Sequence, residues 1–154
     1  MSISVQTEDF DVSEELLRLR AGNAGVGAVV SFVGTVRDIS TDETVLAMEL
    51  EHYPGMTEKA LAGIVEQAKQ HWPLLAARII HRVGTLKPMD QVVLVAVATA
   101  HRAEAFSACE FMMDSLKVSA PFWKREETVS GLHWVDAKEI DTRAAENWLK
   151  GKVA

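Results

Sequence analysis

The chain has 154 residues, the length of one ordinary domain, because a single core stops growing only at about 250–300 residues. Its 16 Lys and Arg against 22 Asp and Glu give a net charge of −6, which argues against non-specific binding to nucleic acid or to an anionic membrane. Hydrophobic residues make up 48% and charged residues 25%, as in folded proteins, so residues 1–154 are expected to form one globular domain.

The first segments predict a strand and a helix. Residues 3–7 are typical of a short strand, and no basic segment followed by an apolar stretch precedes them. We therefore expect no secretory signal and a cytoplasmic protein. Ser13, followed by two glutamates, is typical of a helix start, and Gly22-Asn23 is a plausible helix end.

Three β-like segments follow the first helix. The Val-rich residues 26–36 predict a buried strand, and the polar residues 38–44 predict a loop. Residues 45–52 alternate between apolar and acidic side chains, which predicts a half-solvated strand. Its inward-facing residues would be Leu46, Met48 and Leu50.

The middle of the chain alternates again. A helix is predicted over residues 57–71, with Pro54-Gly55 at its entry, then a strand over 78–83 and a turn over 86–90. Residues 92–100 are the most strand-like run in the chain. Their uninterrupted apolar stretch is far shorter than the roughly 20 residues of a membrane span, so no membrane association is expected.

The last long helix is predicted to begin at Arg102 or Ala103 and to end before Pro121. Its apolar face would carry Phe106, Cys109, Met112, Met113 and Leu116. As the only cysteine, Cys109 cannot form an internal disulfide or a thiolate zinc site, and we interpret it as a core residue rather than a nucleophile.

Strands over residues 122–128 and 133–135, and a helix over about 142–150, complete the predicted elements. Several strands are joined by connections too short for a parallel crossover. We therefore predict an α+β fold, a layered α/β sandwich with antiparallel pairing.

The first candidate site is Thr99-Ala100-His101-Arg102, between a predicted strand and a predicted helix. A cation in the first helical turn opposes the helix dipole at a cost of about 0.3–1 kcal/mol. A bound anion would explain it, since free N–H groups and a guanidinium suit phosphate or carboxylate. The alternative is a solvated arginine beside a histidine that caps the strand.

The second candidate site is the segment KVSAPFWKR, residues 117–125. Lys117, in a last helical turn, is favoured by the dipole alone. Lys124 follows Trp123, and desolvation beside aromatic rings lowers the pKa of a lysine and frees its amine for proton transfer or nucleophilic attack. The Ala120-Pro121 turn folds the chain back, so both lysines could face one pocket.

The third candidate site is Thr35-Val36-Arg37-Asp38, at a strand end, where ligand contacts are common; a solvated arginine explains it equally well. The spacing of His71, His81 and His133 predicts no metal site. His52 could line a site, but a surface turn is the simpler explanation. The sequence has no phosphate loop or nucleotide fingerprint, so no metal and no cofactor are predicted.

Three ordered motifs resemble one known family. They are EHYPGMT (residues 51–57), TAHR (99–102) and LKVSAPFWKRE (116–126). With the strand around residues 27–37 and Trp134-Val135, they resemble the large, catalytic subunit of molybdopterin synthase.

That resemblance implies an α/β hammerhead fold with an added antiparallel β subdomain. It implies conversion of cyclic pyranopterin monophosphate, called precursor Z, into the dithiolene molybdopterin. The sulfur would arrive as a thiocarboxylate on the C-terminal Gly-Gly of a small ubiquitin-like carrier subunit. The large subunit would be a homodimer within a heterotetramer.

The resemblance also implies residue roles. Lys117 matches the catalytic lysine near the carrier tail, and Lys124 the second essential lysine. Arg37, His101 and Arg102 match residues that hold the pterin phosphate. The residues that flank these matches and shape the pocket would be Thr35, Val36, Arg125 and Glu126. Some relatives carry a lysine at the position of Thr35. The alternative function is a non-catalytic anion-binding or regulatory domain.

Overall fold

The structure, a computed structural model, describes residues 1–40, 43–135 and 139–149. Four helices and nine strands form within these residues. In chain order they are β1 (Ser2–Gln6), α1 (Val12–Arg20), β2 (Ala28–Thr35), β3 (Ile39–Ser40), β4 (Glu43–His52), α2 (Met56–His71), β5 (Ala76–Arg82), β6 (Gly84–Leu86), β7 (Gln91–Thr99), α3 (Arg102–Ser119), β8 (Phe122–Thr128), β9 (Gly131–Val135) and α4 (Glu139–Asn147).

The first sheet has the strand order β1-β5-β7-β2. β1 runs parallel to β5, and the other two pairings are antiparallel. Helices α2 and α3 pack on one face through the main core, and α1 covers the other face. The central strand β7 is therefore enclosed on both sides, which explains why its sequence is an apolar run without alternation.

The prediction that β2 is buried is wrong for its middle. Ser31 and Phe32 are exposed, Phe32 to 41%. The reason is topological, because β2 lies at the edge of the first sheet. A Val-rich run indicates a strand, but it does not tell a central strand from an edge strand.

The second sheet has the order β3-β4-β8-β9, with β6 also pairing with β4, all antiparallel. Its small core is formed by Val36, Met48, Leu50, Leu86 and Val92. The predicted α+β class and the second antiparallel sheet are confirmed.

Two predictions around β4 are corrected. Ile39 pairs with Thr44, so the segment predicted as a loop contains a short hairpin; residues 41–42 lie outside the described residues. Leu46, predicted to face inward, is 50% exposed, whereas Val45 is buried. The β4–β8 register shifts between Val45 and Ala47, and such a bulge breaks the two-residue alternation.

The helices follow their predictions with corrected ends. The N-cap of α1 is Asp11, whose carboxylate accepts a hydrogen bond from the Glu14 amide at 3.1 Å, rather than Ser13. Phe106, predicted on the buried face of α3, is 62% exposed. No helix among the described residues is both long and apolar enough to cross a bilayer.

The C-terminal helix starts earlier than predicted, at Glu139, and residue 150 is outside the described residues. The residues after it attach to α3 through Trp148, which is buried. Its indole Nε1 donates to Asp114 at 2.5 Å, and its ring packs against Trp72 and Phe111. These contacts attach the segment around Trp148 to the main core.

Candidate active site

Helix α3 connects the two ends of the first sheet. It has 18 residues and is therefore about 27 Å long at about 1.5 Å per residue. It begins just after the end of β7 and runs back along that strand toward its start. β2 is antiparallel to β7, with Thr35 opposite Gln91. The end of α3, the end of β2 and the start of β7 therefore meet at one end of the sheet, which we call the lysine end.

Lys117 and Lys124 both lie at the lysine end, close to His81. His81 lies in β5 opposite Val93 and is 5% exposed. Its pKa is lowered to about 4, first by burial and then by the charges of Lys124 and Lys117. Both amines act on the same ring, so the two lysines, which the sequence suggested could face one pocket, lie near one residue of the first sheet.

Phe122 lies between the two lysines in the sequence and contacts His81. Its ring stacks on His81 with a centroid distance of 3.8 Å and an interplanar angle of 17°. His81 Nδ1 lies 2.8 Å from the carbonyl oxygen of Arg82, so Nδ1 donates and Nε2 carries the lone pair. The ring is thus neutral and fixed in orientation.

His52 approaches the other side of Phe122, with ring centroids 6.4 Å apart. The hydroxyl of Thr57 donates to the carbonyl of Tyr53 at 2.9 Å and accepts from its amide at 3.1 Å. The single hydroxyl proton is thereby used, so His52 Nδ1, 3.2 Å away, is the donor to Thr57 Oγ1. His52 is therefore also held in a fixed orientation.

His81 and His52 are site neighbours that the sequence analysis did not select. His52 lies inside the EHYPGMT motif, and this position could have identified it as a site residue. For His81 the sequence carried no signal, because its contacts come from Phe122, which is 41 positions later in the chain.

His101 and Arg102 lie at the opposite end of the sheet, which we call the arginine end. Both are exposed, and His101 is the N-cap of α3 without a side-chain capping bond. Thr99 Oγ1 donates to the His101 carbonyl at 2.6 Å. A Cβ atom at Gly27 would lie 2.3 Å from the carbonyl oxygen of Ala100, so only glycine fits against this turn.

The predicted anion-binding residues are therefore not brought together within one chain. Arg37 follows β2 at the lysine end, whereas Arg102 follows β7 at the arginine end. The eight residues of β2 separate the two ends by about 25 Å at about 3.3 Å per residue. The sequence analysis did not foresee this separation because it depends on the antiparallel pairing.

The four flanking residues have different positions. Thr35 is exposed, and Val36 is buried in the small core, where its amide and carbonyl bond to Asp90 and Met89. Glu126 alternates with Arg125 along β8 and so shares the face of Lys124.

Arg125 lies on the other face of β8. It donates to Glu49 at 2.6 Å, and its guanidinium stands 5.3 Å from the centre of the Trp134 ring. The structure therefore does not place Arg125 beside Lys124, and its contacts belong to the outer face of the second sheet.

Cys109 is enclosed in the main core, as predicted. Its Sγ lies 3.7 Å from the Val95 carbonyl, and burial raises its thiol pKa to about 11. Its thiolate, the nucleophilic form, is therefore scarce at neutral pH. Among the described residues there is no group of three or more His, Cys, Asp or Glu placed to hold a metal ion.

At the lysine end, Lys117 and Lys124 therefore lie near the stacked rings of His81 and Phe122, which we call the aromatic floor. Arg37 follows β2 at the same end of the sheet. Amines can move protons, and the cations attract an anionic substrate or a carboxylate. Neither role uses a thiol of this chain.

Comparison with known proteins gives consistent results. The family model described as MoaE protein matches residues 5–119. A molybdopterin synthase catalytic subunit from Ralstonia nicotianae is 60% identical over 147 residues, covering 96% of this chain and 84% of the relative.

Two solved structures are also similar. The molybdopterin biosynthesis MoaE protein from Burkholderia ambifaria has a TM-score of 0.82 and 53% identity, covering 96% of this chain and 97% of that one. The molybdopterin synthase from Staphylococcus aureus has a TM-score of 0.80 and 32% identity, covering 86% and 95%.

Proposed function

The chain belongs to the MoaE family, whose similar members are molybdopterin synthase catalytic subunits, and on that premise we propose that it transfers sulfur to cyclic pyranopterin monophosphate, precursor Z, to form molybdopterin. The observation that supports the proposal is the position of both lysines near the stacked rings of His81 and Phe122. Lys124 follows Phe122 by two residues on the same face of β8, and the charges of Lys124 and Lys117 both act on His81. A domain that only binds anions needs positive charge at the lysine end. It does not need two amines near the ring of His81, whose orientation is fixed.

Both lysines supply positive charge and amines for proton transfer, from different depths of the site. Lys117, exposed at the end of α3, is open to a carboxyl-terminal tail arriving from solvent. Lys124, half-buried on β8, lies deeper and faces the substrate. Sulfur transfer from an acyl carrier requires protons to be delivered and removed at the reacting centre, and positioned amines do this.

The sulfur comes from a partner, because Cys109 is buried with a raised thiol pKa. The partner is a small ubiquitin-like carrier subunit that ends in a Gly-Gly thiocarboxylate. Two terminal glycines have no side chains to block entry into a narrow site. The negative terminus is attracted by Lys117 and Lys124.

The pterin phosphate is held by a site shared between two copies of the chain. One copy supplies Arg37 beside the lysines, and the second copy supplies His101 and Arg102 from its arginine end. The roughly 25 Å separation of the two groups within one chain supports this arrangement. A homodimer with one carrier on each lysine end is then a heterotetramer.

The experiment is reconstitution with precursor Z and three forms of a carrier: thiocarboxylated, carboxylated, and truncated by its last two residues. Dithiolene formation is expected only with the thiocarboxylated form. Light scattering after size-exclusion chromatography should give a heterotetramer with both intact forms and the homodimer alone with the truncated form. A chain that binds precursor Z but forms no dithiolene with any carrier would be the anion-binding domain instead.

A further inference from the structure

His81 is a buried titratable residue next to the two lysines, and the reaction proposed above uses the amines without assigning a task to the imidazole itself. It lies near the end of β5, on the sheet rather than on the segment that carries the lysines. Burying an imidazole in a strand costs free energy unless its polar atoms are satisfied. The Arg82 carbonyl satisfies Nδ1 at 2.8 Å, which leaves a flat, neutral ring facing the lysine end.

The ring of His81 packs against the segment that connects Lys117 to Lys124. Phe122 stacks on it at 3.8 Å with nearly parallel planes, the only ring pair so close among the described residues. Phe122 is the first residue of β8 and follows the turn that leaves α3. The stack therefore attaches the segment between Lys117 and Lys124 to the first sheet.

Burial first, and then the charges around the ring, lower the pKa of His81 and keep the ring neutral. Lys124 and Lys117 act on it from β8 and α3, and His52 acts from β4, all lowering its pKa after the larger effect of burial. Arg82 contributes its backbone carbonyl, which opposes this effect. A cation here would repel both amines, whereas a neutral ring lets two lysines approach the same floor.

We propose that His81 is a positioning residue for Lys117 and Lys124: its ring, fixed by the Arg82 carbonyl and stacked on Phe122, sets where the two amines stand. The inference rests on the proposed function, because positioning matters only if the amines act on substrate. A displacement of about 1 Å in a reacting group can cost about 100-fold in rate. The aromatic face, not the basicity of the ring, supplies the positioning.

The test compares His81→Ala with His81→Phe in the reconstituted heterotetramer. His81→Ala removes the stack and should lower kcat by up to about 100-fold. His81→Phe keeps a neutral aromatic face and should restore kcat to near the wild-type value. Phe122→Leu, which keeps an apolar side chain but removes the stacked face, should resemble His81→Ala and serves if His81→Ala does not fold.

A second readout does not depend on turnover. Acetylation by a succinimidyl ester, followed by mass spectrometry, gives the labelling rates of Lys117 and Lys124 relative to the exposed Lys59 on α2. These ratios should change several-fold in His81→Ala and in Phe122→Leu, and should return to the wild-type values in His81→Phe.

The possible outcomes distinguish the positioning role of His81 from the proposed sulfur transfer. Wild-type kcat and labelling ratios in His81→Ala, or in Phe122→Leu where that variant replaces it, would overturn the positioning role and leave the proposed function intact. Failure of His81→Phe to restore either readout would overturn the role of the aromatic face. Undiminished turnover in Lys117→Ala would overturn the proposed function, whatever the His81 variants do.

Discussion

Arg37 and Arg102 lie at opposite ends of the antiparallel strand pair β2 and β7, about 25 Å apart by strand length. Neither can therefore assist the other on one phosphate group within a single chain. Whether they belong to one site depends on a second copy, and this dependence can be measured.

Mixed dimers test the shared phosphate site. Arg37→Ala and Arg102→Ala homodimers should each show a weakened affinity for precursor Z and low turnover. A mixed dimer with one chain of each kind has one site that lacks both arginines and one that keeps both. Dithiolene formation by purified, differently tagged mixed dimers should recover to about half of the wild-type rate. Recovery no better than in the two homodimers would place both arginines in separate sites.

Lys117→Ala should lose about 10²–10⁴-fold in kcat, the typical contribution of a positioned acid–base group. The side chain is exposed at a helix end, so the thermal unfolding midpoint should change little. Lys124→Ala should also be severely impaired. Lys69→Ala is the matched control, because it also removes an exposed lysine from the last turn of a helix, here α2, and should turn over normally. The measurement is single-turnover dithiolene formation with saturating thiocarboxylated carrier.

Cys109→Ala should retain turnover, because the thiol is enclosed in the core and its raised pKa, about 11 against 9.0 in the unperturbed thiol, lowers its thiolate fraction by about 100-fold. Alkylation with iodoacetamide should be slow in the folded protein and fast in denaturant. Loss of turnover in this variant, together with product formation in the absence of carrier, would make Cys109 the sulfur donor and refute the mechanism.

Gly27→Ala should affect the arginine end alone. The new Cβ would meet the Ala100 carbonyl oxygen at 2.3 Å, so the turn that carries His101 and Arg102 must move. The KM for precursor Z should rise, and the acetylation rate of Lys117 should stay at the wild-type value. Gly63→Ala, at a helical position with open space around the added methyl group, is the control and should change neither quantity.

The acid stability of the protein should depend on His81. Its folded-state pKa of about 4 is below the unfolded value of 6.5, so between these pH values the unfolded chain binds more protons. The free energy of unfolding is therefore complete above pH 6.5 and falls as the pH drops toward 4, by about 3 kcal/mol. Urea titrations from pH 4 to 7 should show a smaller fall in His81→Phe than in wild type. His133→Gln, which alters an exposed histidine on β9, should keep the wild-type slope; an equal slope in His81→Phe would refute the assignment.

The sequence predicted the elements whose signal is local. The apolar run of β7 and the helix that ends before Pro121 were located within a residue or two, because an enclosed strand and a proline stop leave a direct pattern. The fold class and the catalytic family followed from these elements and the three motifs.

The misplaced residues share one cause, which is dependence on a distant part of the chain. Phe32 is exposed because β2 is an edge strand, and Leu46 is exposed because β4 is bulged against β8. Phe106 is apolar and helical in spacing, yet it projects from the covered face of α3. Pairing partners decide each case, and a local pattern does not contain them.

In the candidate site, too, local features were predictable and features that depend on distant residues were not. The proximity of Lys117 and Lys124 followed from a local turn. The separation of Arg37 from Arg102 and the stacking of His81 on Phe122 depend on how the strands pair. The residue types were evident from the sequence, and their assignment to one end or the other was not.

Helix α3 sets the distance between Arg102, its first residue, and Lys117, in its last turn. One inserted residue would turn everything after it by about 100° and push it forward by about 1.5 Å. Such an insertion would turn the Lys117 side chain away from the rings of His81 and Phe122 and would leave Arg102 in place. The number of residues between these two cations is therefore constrained more tightly than the identities of the exposed residues between them, and variation in length has room only in the loops outside this helix.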